Sequence, residues 1–265
     1  MHQDTRATNA PSRIWYQSFT DPQAQRPYIE RLRAHLAAVT DPEFTCEVYG
    51  ITPPDIHFHL LTEFRIAAQV IRNALEAERQ GFAAFVIGHF QEPGLHESKA
   101  AVDIPVLGLG ETTMLYACTL GRKIGLVTIN PIFIPWHEDQ VIRYGLKERV
   151  VGVRAIDTTV EDYMQAFDDP QAYDQVRAQF CRQVEPLLAM GVEVIVPAGG
   201  LPMLLFARER SFTIGGALVL NGITVVAKMA EMAVKLSQLD GTAISRASWY
   251  AKASPAVVQE FLQSR

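Results

Sequence analysis

The sequence predicts an α/β fold: two pseudo-symmetric, Rossmann-like lobes with mostly parallel sheets and a site in the cleft between them. Three observations predict it. Short apolar runs of strand character alternate with longer stretches of helical periodicity, the pattern that builds parallel sheets covered by helices. Several of these runs, such as AAFVIG (83–88) and IPVLGLG (104–110), are apolar at every position, as strands covered on both faces must be. The alternation also restarts. RIWYQSFTDP from residue 13 matches KIGLVTINP from 123, and GFAAFVIGHF from 81 matches GVEVIVPAGG from 191, both at an offset of 110 residues. That shared offset pairs Ser18 with Thr128, Thr20 with Asn130 and His89 with Gly199 about a pseudo-twofold axis. Ligand sites favour such lobe interfaces.

The elements follow in order. Residues 1–12 are polar, lack the apolar core of a signal peptide, and read as a flexible N-terminal arm. A strand is expected over 13–18, then a helix over 24–39 with Pro27 in its first turn, where a missing N–H does no harm. Residues 45–51 read as a strand and 61–79 as an amphipathic helix ending near Gly81. Strands at 83–88 and 104–110 precede a helix from Thr112 to about Leu120. The second lobe offers strands at 123–128 and 148–156, a helix at 173–190 and a strand at 192–198. The final helix is expected over 221–239. Residues 13–118 with about 217–265 then form the first lobe, and 119–216 the second.

Composition narrows the function. Of 265 residues, 48% are apolar and 20% charged, with a net charge of −5, an ordinary soluble-enzyme balance. Lys and Arg are scattered, so no basic stripe awaits a phosphate backbone and no nucleic-acid partner is expected. No run approaches the roughly 20 apolar residues that span a bilayer, so no membrane partner is expected either. Cys46, Cys118 and Cys181 are odd in number and fit no zinc or redox spacing. A cytoplasmic protein with free thiols is the expectation.

One stretch points to chemistry. In AAFVIGHFQEPGL (83–95) an apolar strand gives out at Gly88, His89 and Phe90 before a Glu-Pro-Gly turn. The carboxyl ends of strands are where open α/β sheets hold ligands. An imidazole there can take a proton from an acidic carbon or return one; a core histidine is the plainer alternative. Glu92, three residues on, could orient or charge that ring, or be a solvated turn residue. Glu111 follows VLGLG and opens a helix, where a carboxylate is also favourable for dipole reasons alone. His57 and His59 in DIHFH share a face if extended, a metal-ligand spacing that His89 could complete with Glu92 or Glu111; an exposed pair is the alternative. Trp136, His137 and Glu138 read most simply as an amphipathic helix end.

Five stretches carry a family resemblance: PGLHESKAAVDIPVLGLGE (93–111), GRKIGLVT (121–128), RYGLKERVVGVRAID (143–157), GVEVIVPAGG (191–200) and LNGITVVAKMAEMAVKL (220–236). In order and spacing the chain is similar to the aspartate/glutamate racemase superfamily, in its hydantoin racemase branch, from Ile14 to about Leu239. The resemblance implies catalysis without cofactors, by two cysteines on opposite faces of a substrate's α-carbon. Those positions fall here at His89 and Gly199, and neither is a cysteine. The three cysteines present fall elsewhere and read as small buried thiols. The scaffold is therefore retained and the two-thiol mechanism is not. By resemblance Ser18, Thr20, Thr128 and Asn130 hold a carboxylate or imide, although the family usually has two asparagines where this chain has Ser18 and Thr20. Glu111, with Thr112 beside it, stands in the family's Gly-x-Gly-Glu stretch near the site, and Gly199 and Gly200 let backbone N–H groups face the cleft.

The expectation is a cofactor-independent enzyme working beside a carboxylate or a cyclic amide or imide carbonyl of a small molecule. His89 is its acid/base, and the reaction is of isomerase or lyase type, decarboxylation included. Two alternatives stand beside it. One is a hydrolase of a small cyclic amide, with water activated by His89 or by a metal on His57 and His59. The other is a pseudo-enzyme that binds a small acid. A homo-oligomer is expected.

Overall fold

The computed structural model describes residues 10–54 and 57–264. The first half runs β1 (Ser12–Gln17), α1 (Arg26–Val39), β2 (Phe44–Tyr49), α2 (Leu60–Arg79), β3 (Ala84–Ile87), α3 (Leu95–Ala101), β4 (Val106–Gly108) and α4 (Leu109–Leu120). Its four strands are all parallel, in the order β2-β1-β3-β4. The second half runs β5 (Ile124–Thr128), a 3-10 turn (Pro131–Phe133), α5 (Ile134–Arg143), β6 (Val150–Ala155), α6 (Val160–Asp168) and α7 (Pro170–Ala189). It continues with β7 (Val194–Ala198), α8 (Gly200–Phe206), β8 (Thr213–Ile214), β9 (Ala217–Val219) and α9 (Gly222–Asp240). This sheet has the order β6-β5-β7-β9-β8, parallel except for the short β8.

The order β6-β5-β7-β9 repeats β2-β1-β3-β4. The 110-residue offset carries Ala84, which opens β3, onto Val194, which opens β7. Two lobes of like topology are therefore present. Both faces of β3, β5 and β7 are buried throughout, which is why these strands are apolar without alternation. β1 divides its side chains between two cores. Ile14 and Tyr16 join a large core continuous with that of the second lobe. Trp15 faces the other way, with Ile66 and Val70 of α2 and Phe85 of β3. Helix ends are marked by local chemistry: Thr159 and Asp162 form a capping box on α6, and the Asn221 side chain caps α9 from the Ile223 and Thr224 N–H groups.

One helix of each half crosses over. α4 leaves β4 of the first sheet and packs on β7 and β5 of the second, while α9 leaves β9 and packs on β3, β4 and α1. The two crossing helices also pack on each other. Residues 109–118 of α4 pack on the second sheet, and β9 hydrogen-bonds to β7.

Other differences are local. The strand expected to reach 110 stops at Gly108, because Leu109 turns directly into α4. The helix over 221–239 is not the last: residues 242–254 run along α3, where Arg246 donates to the Lys99 and Val102 carbonyls, and α10 (Pro255–Gln263) follows. Of the N-terminal arm, residues 1–9 lie outside the described residues, and Ser12 already belongs to β1. No helix among the described residues is long and apolar enough to cross a membrane.

Candidate active site

Parallel strands deliver all their carboxyl ends to one edge, so the loops after β1, β3, β5 and β7 converge. They enclose a cavity of about 440 Å³, a volume suited to a small molecule. Ser18, Thr20, His89, Asn130, Gly199 and Gly200 line it together. The first-lobe and second-lobe strand ends thus face each other, as the offset pairing requires.

His89 stands two residues past the end of β3, half-buried, its ring centroid 4.4 Å from that of Phe19. The chain reaches this point over Tyr16, and Gly88 makes that approach possible. A Cβ at Gly88 would lie 2.1 Å from Tyr16 Cε1, so no larger residue fits. The loop beyond is held from the second lobe: Gln140 Nε2 of α5 donates to the Phe90 carbonyl at 2.6 Å. On the first lobe, buried Gln17 gathers the loops after β1 and β2, its Nε2 donating to the Ser18 and Gly50 carbonyls at 2.8 and 3.0 Å.

Donors around the cavity are neutral. Ser18 Oγ and Thr20 Oγ1 lie 3.1 Å apart. Asn130 Oδ1 accepts the Ile132 N–H at 3.0 Å, which leaves its Nδ2 as the donor end. The Gly199 N–H bonds the Pro197 carbonyl at 2.9 Å, so of the two glycines only Gly200 offers a backbone donor. Phe19, Tyr28, Phe58, Ile129, Phe133 and Leu201 supply apolar walls. Among the described residues no Lys, Arg or Cys lines the cavity, and its one carboxylate is exposed Glu161. Cys46, Cys118 and Cys181 are half-buried in β2, α4 and α7, and burial pushes the Cys46 and Cys181 thiols upward.

Four residues expected at the site do not line the cavity. Thr128 ends β5 fully buried, its Oγ1 3.2 Å from the Ala198 carbonyl and 3.1 Å from His137 Nε2. Thr112 is buried in the first turn of α4. Glu92 sits at a left-handed φ of 57°, which turns its side chain into the seam between the lobes. There it accepts the Glu111 N–H at 2.8 Å, Gln140 Nε2 at 3.2 Å and the Tyr144 hydroxyl. Burial pushes its carboxyl up to about 8. Glu111 is turned aside by Lys99, 2.6 Å away. The exposed His57 and His59 do not line the cavity either, and His59 Nδ1 caps α2 by accepting the Leu61 N–H at 3.1 Å. Asp55, which precedes them, lies outside the described residues. Among the described residues no group of three His, Cys, Asp or Glu is placed to hold a metal.

The sequence reading missed a buried hydrogen-bonded chain that joins the two strand ends. His137, in the first turn of α5 rather than at its end, sits 2.8 Å from Gln140 Oε1 and 3.1 Å from Thr128 Oγ1. Burial lowers its imidazole to about 4, so it is neutral near pH 7. Gln140 carries the chain on to Phe90 and Glu92. Gln140 on α5 and Tyr144, four residues on and just past its end, are the only signal the sequence gives.

Two like lobes, exchanged helices and a cleft at paired strand ends define a class of fold, and comparison places the chain within a family. The family described as Asp/Glu/Hydantoin racemase matches residues 19–230, and the chain belongs to it. It is 29% identical over 170 residues to a hydantoin racemase of Pseudomonas sp. (strain NS671), covering 64% of this chain and 65% of that protein. It is 32% identical over 157 residues to the hydantoin racemase of Rhizobium meliloti, covering 59% and 62%. The matches thus span just under two thirds of these relatives' own length. Among solved structures, allantoin racemase from Klebsiella pneumoniae superposes with a TM-score of 0.74 at 24% identity, over 92% of this chain and 94% of that one. A glutamate racemase from Bacillus anthracis gives 0.61 at 12% identity, over 87% and 83%. These share the fold.

Proposed function

We propose that this chain is a cofactor-independent enzyme that moves a proton at a carbon beside a carboxylate or a cyclic imide carbonyl, with His89 as its acid/base. The observation that carries the reading is His89 on a cavity that also holds neutral donors from both lobes, Ser18, Thr20 and Asn130 among them, with exposed Glu161 as its one carboxylate among the described residues. A neutral imidazole takes the α-proton, and the electron pair moves onto the carbonyl oxygen. Ser18, Thr20, Asn130 Nδ2 and the Gly200 N–H receive the resulting enolate charge. Returning the proton at another position gives an isomerase; protonation after loss of carboxylate gives a lyase. The related hydantoin racemases support an isomerase acting on hydantoin-like rings. A cavity lined by no Lys or Arg among the described residues favours a neutral cyclic imide over a dicarboxylate. The same reading has the chain working in the cytoplasm as a homo-oligomer, for which exposed Leu60, Leu61 and Phe64 at the start of α2 provide an apolar surface.

The test is a panel of hydantoins, cyclic imides and α-substituted carboxylates in heavy water, followed by NMR for proton exchange and turnover. The wild-type chain is expected to act on at least one. His89→Ala is expected to lower kcat by about 10²–10⁴-fold, the usual scale of acid–base catalysis, with an unchanged melting temperature. No exchange or turnover across the panel, or a normally folded alanine variant at the wild-type rate, overturns the reading.

A further inference from the structure

Tyr28 lies in the first turn of α1, only 4% exposed, and lines the cavity. Its hydroxyl makes no hydrogen bond among the described residues, and it is not one of the sealed, unpartnered polar atoms of the interior. The second lobe leaves room for it. A Cβ at Gly200 would come within 2.9 Å of Tyr28 Oη and 3.6 Å of the Gly88 carbonyl. The hydroxyl therefore stands where α1, the end of β3 and the start of α8 meet, one residue from His89 on one side and one from Gly199 on the other. Tyr16 offers the contrast. Its hydroxyl is also unpartnered, but it is sealed beneath Gly88 and does not line the cavity.

We infer that Tyr28 is a second catalytic residue, whose hydroxyl donates a hydrogen bond to the substrate oxygen that gains negative charge when His89 takes the proton. This rests on the reading of His89 given above. The balance is simple. The C–H bond breaks, its proton goes to the imidazole, its electron pair becomes the enolate, and Tyr28 keeps its own proton throughout. Burial supports that division of roles, because it pushes the Tyr28 phenol well above its ordinary range and so holds the group as a neutral donor. A hydroxyl left without a partner among the described residues is also pre-organised: no bond to them has to break before it serves the ligand.

Tyr28→Phe keeps the ring and removes only the donor. On the panel member that the wild-type chain turns over fastest, kcat is expected to fall by about 10- to 10³-fold with KM changed a few-fold at most. Because no hydrogen bond to a described residue is lost, the melting temperature is expected to hold or rise. Wild-type kcat in Tyr28→Phe, alongside an inactive His89→Ala, overturns the inference and leaves the reading of His89 standing. A fall in melting temperature of more than about 3 °C assigns the hydroxyl a structural role and also overturns it. No turnover by the wild-type chain across the panel removes the reading of His89 and this inference together.

Discussion

Glu92→Gln tests the buried seam on which the site is built. The Glu92 carboxyl accepts three donors, yet no cation touches it directly, since Lys99 is paired with Glu111. Burial dominates, and its pKa rises from the usual 4.5 to about 8. Between those values the folded chain keeps a proton that the unfolded chain has released. The contribution is therefore fully present below about pH 4.5 and is lost as pH rises through about 8. At about 1.4 kcal/mol per pH unit, this amounts to up to about 5 kcal/mol across the window. Gln carries no ionisable proton and removes that slope. At low pH the variant is expected to be the less stable by about 1–3 kcal/mol, because its amide N–H₂ faces the Gln140 donor. With rising pH the gap closes and then reverses. Urea unfolding of both proteins from about pH 5 to about pH 9 reads the difference directly. A gap that stays constant across that range refutes the reasoning, because a merely packed glutamate leaves no pH signature.

Two further outcomes follow from the same structure. His137→Leu cuts the chain between Thr128 and Gln140 and is expected to lower stability near neutral pH by about 1–3 kcal/mol. It also flattens the acid limb, since a buried imidazole lowered from 6.5 to about 4 contributes stability that is present above 6.5 and lost as pH falls through about 4; thermal melts across that range check both. Iodoacetamide at neutral pH is expected to leave turnover intact, because no cysteine lines the cavity among the described residues. Rapid stoichiometric inactivation that substrate prevents contradicts this.

The repeat was legible because both lobes begin with the same sheet-forming signal at the same spacing, and Gly88-His89 and Gly199-Gly200 stand at equivalent strand ends. Short helices were not. α8, GLPMLLF, buries every residue from Pro202 to Phe206, so it has no polar face and shows no helical period. The exchange of α4 and α9 is a tertiary event, invisible to any local pattern. Position in sequence puts His89 at a strand end that lines the cavity, but it gives no side-chain direction. Glu92 lies three residues from His89, yet its left-handed backbone aims it at Tyr144 and Gln140 instead. Gln140 and Tyr28 escaped notice because the contacts that set them apart, to Phe90 and Glu92 for the one and to Gly200 for the other, cross the lobe interface, where sequence neighbours carry no information.

The helix exchange also explains how a cleft between two lobes can hold the groups that line it in register. To part the lobes, α4 must leave β7 and β5, and α9 must leave β3 and β4. That uncovers Leu109, Met114, Ile223, Val226 and Val234, all buried. At about 1.5–3 kcal/mol for each large apolar side chain, separation costs on the order of 10 kcal/mol. That equals the whole stability of an ordinary domain, about 5–15 kcal/mol. Rigid-body opening of the lobes is then no easier than unfolding. His89 and the facing Gly199-Gly200 loop are consequently fixed relative to one another by the core itself, before any ligand arrives. Such placement is what one-base proton transfer requires, since misplacement by about 1 Å lowers rates about 10²-fold. Ligand entry must come from rearrangement of the loops at the rim, because the shared core beneath the cavity does not yield.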